Sequence, residues 1–198
     1  GAHMNGRDAL DLGLADRFLL DEQQDEMLEG LLQLNWQEQT AMQLNSLFKA
    51  LAQEAVSQQP APQWLPRRQQ IDDWLDVGDV CGAWRALNQL REHADPLFSR
   101  AGKTLSEGCP LTAHLVWEQI RRARHLSLSE VFQMEYTLSL NCCRHPEFSE
   151  GVRARLIDKD QQPHWHWPDI KRVPEAVVEA HFHKAWEGRH PLADLSDL

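Results

Sequence analysis

Apolar residues recur with helical spacing along almost the whole chain, and strand patterns nearly vanish after the first twenty residues. The clearest run covers residues 38–56, where Ala41, Leu44, Leu47, Phe48, Leu51, Ala52 and Val56 fall every three or four positions and line one helical face. Only the start departs from this pattern, reading as a helix over 7–13 followed by a strand over 14–20. Asp21 with Gln24 reads as a capping box ahead of Met27, Leu28, Leu31 and Leu32. Pro60, Pro62 and Pro66 then break the periodicity into a loop.

Further helices are expected over 67–75 and 80–91, the second capped by Asp79. Asp95-Pro96 and Pro110 open two more, since proline suits the first helical turn. Ser127-x-x-Glu130 is a capping box, His145-Pro146 starts a further helix, and Pro174 starts the last. Between these two lies an irregular aromatic tract, 161–168. The fold class is mainly α.

A chain of 198 residues with 42% hydrophobic and 25% charged residues has a globular composition. Its formal charge of -10 repels phosphate backbones, so nucleic acid is not an expected partner. No apolar run is long enough to span a bilayer, so neither is a membrane. Cys81, Cys109, Cys142 and Cys143 include no C-x-x-C and read as reduced thiols of a reducing compartment. Gly1-Ala2-His3-Met4 has the form of a tag remnant, placing the natural start near Asn5.

Several residues invite a chemical reading. His164-x-His166 and His181-x-His183 offer four imidazoles, but on a helix two such rings splay about 200 degrees apart; no metal site is expected. Cys142 lies on an apolar stripe, which favours packing over nucleophilic chemistry for the Cys142-Cys143 pair. Glu135 sits within an apolar helix and reads as a paired glutamate or, alternatively, a buried acid. Arg121, Arg122 and Arg124 crowd a helix C-terminus, where the dipole favours cations; an anion site is the second reading. Trp165 and Trp167 alternate as anchors of a coil on a helical surface, or as stacking groups for a ligand. No glycine-rich phosphate loop, nucleophile elbow or H-E-x-x-H is present.

The stretch SEVFQMEYTLSL and the run HPEFSEGVRARLIDKDQQPHWHW, ending at Trp167, resemble the enoyl-CoA hydratase/isomerase (crotonase) superfamily, and more closely its 3-hydroxyisobutyryl-CoA hydrolase branch. The match is carried by Glu150-Gly151-Val152-Arg153-Ala154, Leu156-Ile157-Asp158-Lys159-Asp160 and Pro163-x-Trp165. Gly6-Arg7-Asp8-Ala9 through Gly13-Leu14-Ala15-Asp16 is similar to the helix-then-strand that leaves the crotonase core.

The resemblance implies the C-terminal helical region of a crotonase-type α/β protein with the core spiral mostly absent. Residues 1–4 are then a tag remnant, 5–20 a remnant of the core, 21–94 a helical linker region and 95–198 a C-terminal helical domain. It also implies an acyl-CoA thioester hydrolase of valine catabolism, whose acidic pair and oxyanion hole lie outside this segment. No catalytic residue is therefore assigned here. In crotonases an aromatic and a lysine after the Glu-Gly motif approach CoA; here the aromatic position holds Arg155, and Lys159 stands one residue out of register. Arg153 and Lys159 are the implied substrate-binding residues, with a solvated lysine paired to Asp158 or Asp160 as the other reading of Lys159. No separate cofactor is implied, because coenzyme A belongs to the substrate. The implied partners are the N-terminal crotonase core, acyl-CoA and a second copy of the chain. The competing class is a non-enzymatic helical interaction domain, and a third option is a fragment of an enoyl-CoA hydratase/isomerase. A bacterial source implies the cytoplasm, a eukaryotic one the mitochondrial matrix.

Overall fold

The computed structural model describes residues 2–196; residue 1 of the expected tag remnant and residues 197–198 of the expected C-terminal domain lie outside them. The chain forms two compact units, 2–73 and 74–196. Helices dominate both, and no strand occurs among the described residues.

In the first unit, α1 (Gly6–Asp11) is closed by a capping box in which Asn5 Oδ1 accepts the Asp8 amide and Asp8 accepts the Asn5 amide. Asp8 is fully buried, and its other oxygen accepts the amides of Gln63 (2.6 Å) and Trp64 (3.0 Å). One carboxylate thus ties the proline-rich loop to α1. These amides and Arg67 hold the Asp8 carboxyl below its ordinary value, although burial works in the opposite direction and is the largest single influence. The expected strand over 14–20 is not formed. Residues 17–20 lie outside regular structure with no neighbouring strand to complete a ladder, and a strand needs a partner for its amides.

The next helix opens differently from its expected cap. A 3-10 turn at Asp21–Gln23 precedes α2 (Gln24–Gln33), and it is Gln23, not Gln24, that reaches back, accepting the Leu20 amide at 3.0 Å. Gln23 Nε2 also donates to the carbonyl of Leu51 on α3 (Thr40–Ala55). The latter begins later than its periodicity indicates because Gln39 takes a left-handed conformation (φ 48°). Gly30 lets α2 approach α3, since a Cβ there would meet Leu47 Cδ1 at 2.6 Å. Beyond the loop lies α4 (Arg68–Leu75).

The second unit starts inside the expected linker: residues 74–94 pack with the C-terminal helices. Trp74, His93 and Phe98 form an edge-to-face trio with centroids 4.7 to 5.8 Å apart. Asp79 caps α5 (Val80–Asn88) through the Gly82 amide, and Asp95 caps α6 (Pro96–Glu107) through the Leu97 amide. Then come α7 (Pro110–Ala123), α8 (Leu128–Arg144) behind its Ser127/Glu130 capping box, α9 (Pro146–Val152) and α10 (Glu175–His181). Leu111, Leu115, Leu138, Val173 and Val178 form the core where α7, α8 and α10 meet, with Cys109, Cys142 and Trp167 packed on it.

The backbone of α6 lies against the 3-10 turn Gln89–Glu92, with Gly102 at the contact. An alanine Cβ would stand 2.6 Å from Arg91 N and 2.8 Å from the carbonyl carbon of Leu90. Backbone atoms cannot swing aside as a side chain would. Gly102→Ala is therefore expected to destabilise the fold by about 1–3 kcal/mol through overpacking, read as a lowered denaturation midpoint. An unchanged midpoint would show that the turn yields freely.

Candidate functional site

The segment from His145 to Trp167 brings together most residues of the expected site. His145 caps α9 by accepting the Glu147 amide at Nδ1 (3.3 Å), and Pro146 fills the first helical position. Glu147 and Glu150 stand one turn apart on this helix and grip the aromatic tract behind it. Glu147 Oε1 accepts the amide of His166 (3.1 Å) and, at 3.4 Å, that of Trp167; Glu150 Oε1 accepts that of His164 (2.6 Å). Three helical residues rise about 4.5 Å and two extended residues about 6.6 Å, a mismatch that carboxylate side chains can span.

The tract alternates accordingly. Trp165 and Trp167 turn inward while His164 and His166 are exposed. Trp165 lies over Gly151, where a Cβ would meet its ring at 3.3 Å, and its Nε1 donates to the carbonyl of Glu107. Trp167 stacks on His145 with centroids 5.7 Å apart. Both tryptophans anchor the coil.

Beyond α9 the helix widens into a π turn, Arg153–Ile157, closed by the Asp158 amide donating to the Arg153 carbonyl at 2.8 Å. All five N–H donors of Arg153 are engaged within the chain: two on Glu150, one each on Asp158, Asp160 and the Gln162 carbonyl. Arg153 is thus a hub for the loop rather than a free cation. Hydrogen bonding to its guanidinium is the main reason the Glu150 carboxyl falls to about 2, the His164 amide adding to the effect, and Asp160 is lowered chiefly by hydrogen bonding to the same guanidinium. Lys159 sits on that loop, exposed, in a left-handed conformation (φ 57°), and Gln161 repeats the conformation (φ 58°). Arg153 takes both aspartates, and Lys159 forms no ion pair with either.

A groove of about 360 Å³ lies beside the π turn, walled by Leu111, Leu115, Phe148, Val152, Leu156 and Trp165. Cys109, Cys142, His145 and His181 also line it. Burial raises the thiol pKa of both cysteines, so they stay protonated and pack as small apolar groups.

The other expected residues separate from this site. Glu135 accepts a hydrogen bond from Gln119 Nε2 (2.9 Å) and is a paired glutamate. Arg121 and Arg122 both bind Glu118, and Arg122 also binds Glu179 and lies over the Phe182 ring, so their charges are matched within the fold. Arg124 is exposed. His181, the last residue of α10, is buried, whereas His183 lies past the helix end, not inside the helix as expected, and is exposed. Among the described residues no group of three or more His, Cys, Asp or Glu is placed to hold a metal ion. Sequence reading missed Glu147 and the meeting of His145 with His181. The signal for Glu147 was its three-residue spacing from Glu150 beside a tract of period two.

Because the Glu150 pKa is depressed on folding, its contribution to stability is complete above its unfolded value of about 4.3 and is lost as the pH falls through about 2. Near-ultraviolet dichroism of Trp165 and Trp167 is expected to fade in that window, and Glu150→Gln to flatten the dependence there. An equally steep loss in the variant would remove Glu150 from the account.

The enoyl-CoA hydratase/isomerase family model matches residues 1–182. The 3-hydroxyisobutyryl-CoA hydrolases of Danio rerio and Homo sapiens, both described as mitochondrial, are 29% and 28% identical. Each comparison covers 92% of this chain, with 47% of the first relative and 46% of the second. The chain therefore spans about half the length of these curated relatives. Among solved structures, a carnitinyl-CoA dehydratase from Mycobacterium thermoresistibile superposes with a TM-score of 0.72 at 27% identity, covering 91% of this chain and 48% of that one. An enoyl-CoA hydratase from Rhodobacter sphaeroides gives 0.66 at 26% identity, covering 92% and 48%. The run from Glu150 to Trp165 thus lies in a chain that belongs to the enoyl-CoA hydratase/isomerase family.

Proposed function

We propose that this chain is the CoA-covering part of a thioester hydrolase acting on 3-hydroxyisobutyryl-CoA in valine catabolism, supplying a wall of the CoA site and not the reacting groups. The observation that carries this reading is the presentation of Lys159. A left-handed non-glycine residue costs about 1 kcal/mol or more, and such strain points to a functional demand at the position. Arg153 fixes the loop around it by five hydrogen bonds, leaving the ammonium exposed as a point charge for a CoA phosphate. In this reading Arg153 is a positioning residue.

The reacting groups, an acidic pair with a backbone oxyanion hole, are assigned to a crotonase core on which this chain rests. Backbone amides there stabilise the oxyanion of the thioester adduct, and a carboxylate handles the water. The names of the curated relatives favour a hydrolase, while the structural neighbours keep a hydratase or isomerase as the second reading.

The test is a comparison of this chain with a longer form carrying the core. The chain alone is expected to leave 3-hydroxyisobutyryl-CoA intact and the longer form to hydrolyse it. In the longer form Lys159→Ala should raise KM several-fold with kcat little changed. Turnover by the chain alone, or a Lys159→Ala form with unaltered KM, would overturn the reading.

A partner surface follows from the same proposal. Leu32 is 84% exposed on α2, and Leu28, Trp36 and Met42 are exposed nearby in sequence. Without a covering core, copies of the chain are expected to associate, and more so in salt, because the charge of -10 is screened beyond about 8 Å at physiological ionic strength. Sedimentation showing monomer alone at high protein concentration in moderate salt would favour a self-sufficient interaction domain.

A further inference from the structure

The groove beside the π turn contains an unused hydrogen-bonding pair. His181 is 4% exposed, and its Nδ1 lies 2.7 Å from the Val177 carbonyl. A carbonyl only accepts, so Nδ1 carries the hydrogen and Nε2 is left with a lone pair. That Nε2 is buried and has no partner, and the same ring lines the groove.

His145 is set the opposite way. Its Nδ1 accepts the Glu147 amide, so in the neutral ring Nε2 carries the hydrogen. Burial, reinforced by His181, lowers the His145 pKa and favours that neutral ring. The two ring centroids stand 5.0 Å apart at 53°, and both rings line the groove. One imidazole therefore offers a donor and its neighbour an acceptor, beside walls that are mainly apolar, with Thr112, Glu147 and Arg155 also on the lining.

We infer that this groove binds a small neutral alcohol or phenol with an apolar body, its hydroxyl donating to His181 Nε2 and accepting from His145 Nε2–H. A hydroxyl is the smallest group that satisfies both nitrogens at once, whereas a carboxylate has no proton for His181. The volume of about 360 Å³ lies in the range of small-molecule sites and accepts a substituted benzene ring. Leu111, Leu115, Phe148 and Val152 supply the apolar contacts. The inference stands apart from the proposed CoA contact at Lys159.

The test is titration of the full chain, by calorimetry and by histidine nitrogen-15 shifts, with p-cresol, p-methylanisole and p-xylene. All three share the ring and methyl group, but p-cresol alone donates a hydrogen bond. It is expected to bind about tenfold tighter than the other two and to move the His181 Nε2 resonance. His181→Phe should abolish the preference while still admitting p-xylene. Equal affinities, no binding, or a preference that survives in His181→Phe would overturn the inference. Should that variant fail to fold, the three ligands on the unaltered chain decide the matter.

Discussion

A buried carboxylate is tolerated only when other groups take over its hydration, and Glu147 meets that condition without a basic side chain. Backbone amides of the aromatic tract bond it, and it stands in the first turn of α9, where helix amides point outward. The same bonds solve a problem for the tract. Residues 161–168 have no ladder or helix to pair with, and a buried amide left unpaired costs about 1–3 kcal/mol. Glu147 and Glu150 accept those amides in register, so a helix supplies the acceptors that a neighbouring strand would supply in a sheet.

From that register the rest of the site follows. Holding the amides of His164, His166 and Trp167 forces the alternation that turns Trp165 and Trp167 inward. Trp165 then walls the groove and needs Gly151 bare beneath it, while Trp167 stacks on His145 and sets one side of the imidazole pair. The π turn adds one residue per turn just where α9 ends, and Leu156 and Ile157 emerge exposed on it. Groove and loop thus share one scaffold, although they present different chemistry.

Much of the architecture was legible because caps and prolines are local signals. Asp79, Asp95 and Ser127 each cap the helix expected of them, and Pro96, Pro110 and Pro146 each stand in a first turn. Errors arose where a distant partner decides the outcome. A strand over 14–20 requires a ladder that no local pattern can supply. Gln23 displaced Asp21 and Gln24 as the cap because its amide also reaches Leu51, 28 residues away. In the site, the anchoring of Trp165 and Trp167 was readable from alternation. The hydrogen bonds that engage Arg153 were not readable, because the turn that returns Asp158, Asp160 and Gln162 to it includes two left-handed residues, neither of them glycine.

In the proposed reading Arg153 and Lys159 divide the role that resemblance assigned to both. A planar guanidinium with five donors can close a loop from several directions, whereas an ammonium acts as a compact charge at its tip. The arrangement has an electrostatic consequence. Three carboxylates surround one guanidinium, so the loop that presents Lys159 is locally acidic. Asp158 and Asp160 flank Lys159 in sequence, well within the Debye length of about 8 Å, and salt does not screen them from it. An anion approaching Lys159 meets attraction at contact and repulsion just beyond. Such a cation contributes little to long-range capture. It rewards an anion that other contacts have already brought into place, which suits a phosphate on a large ligand better than a free ion in solution.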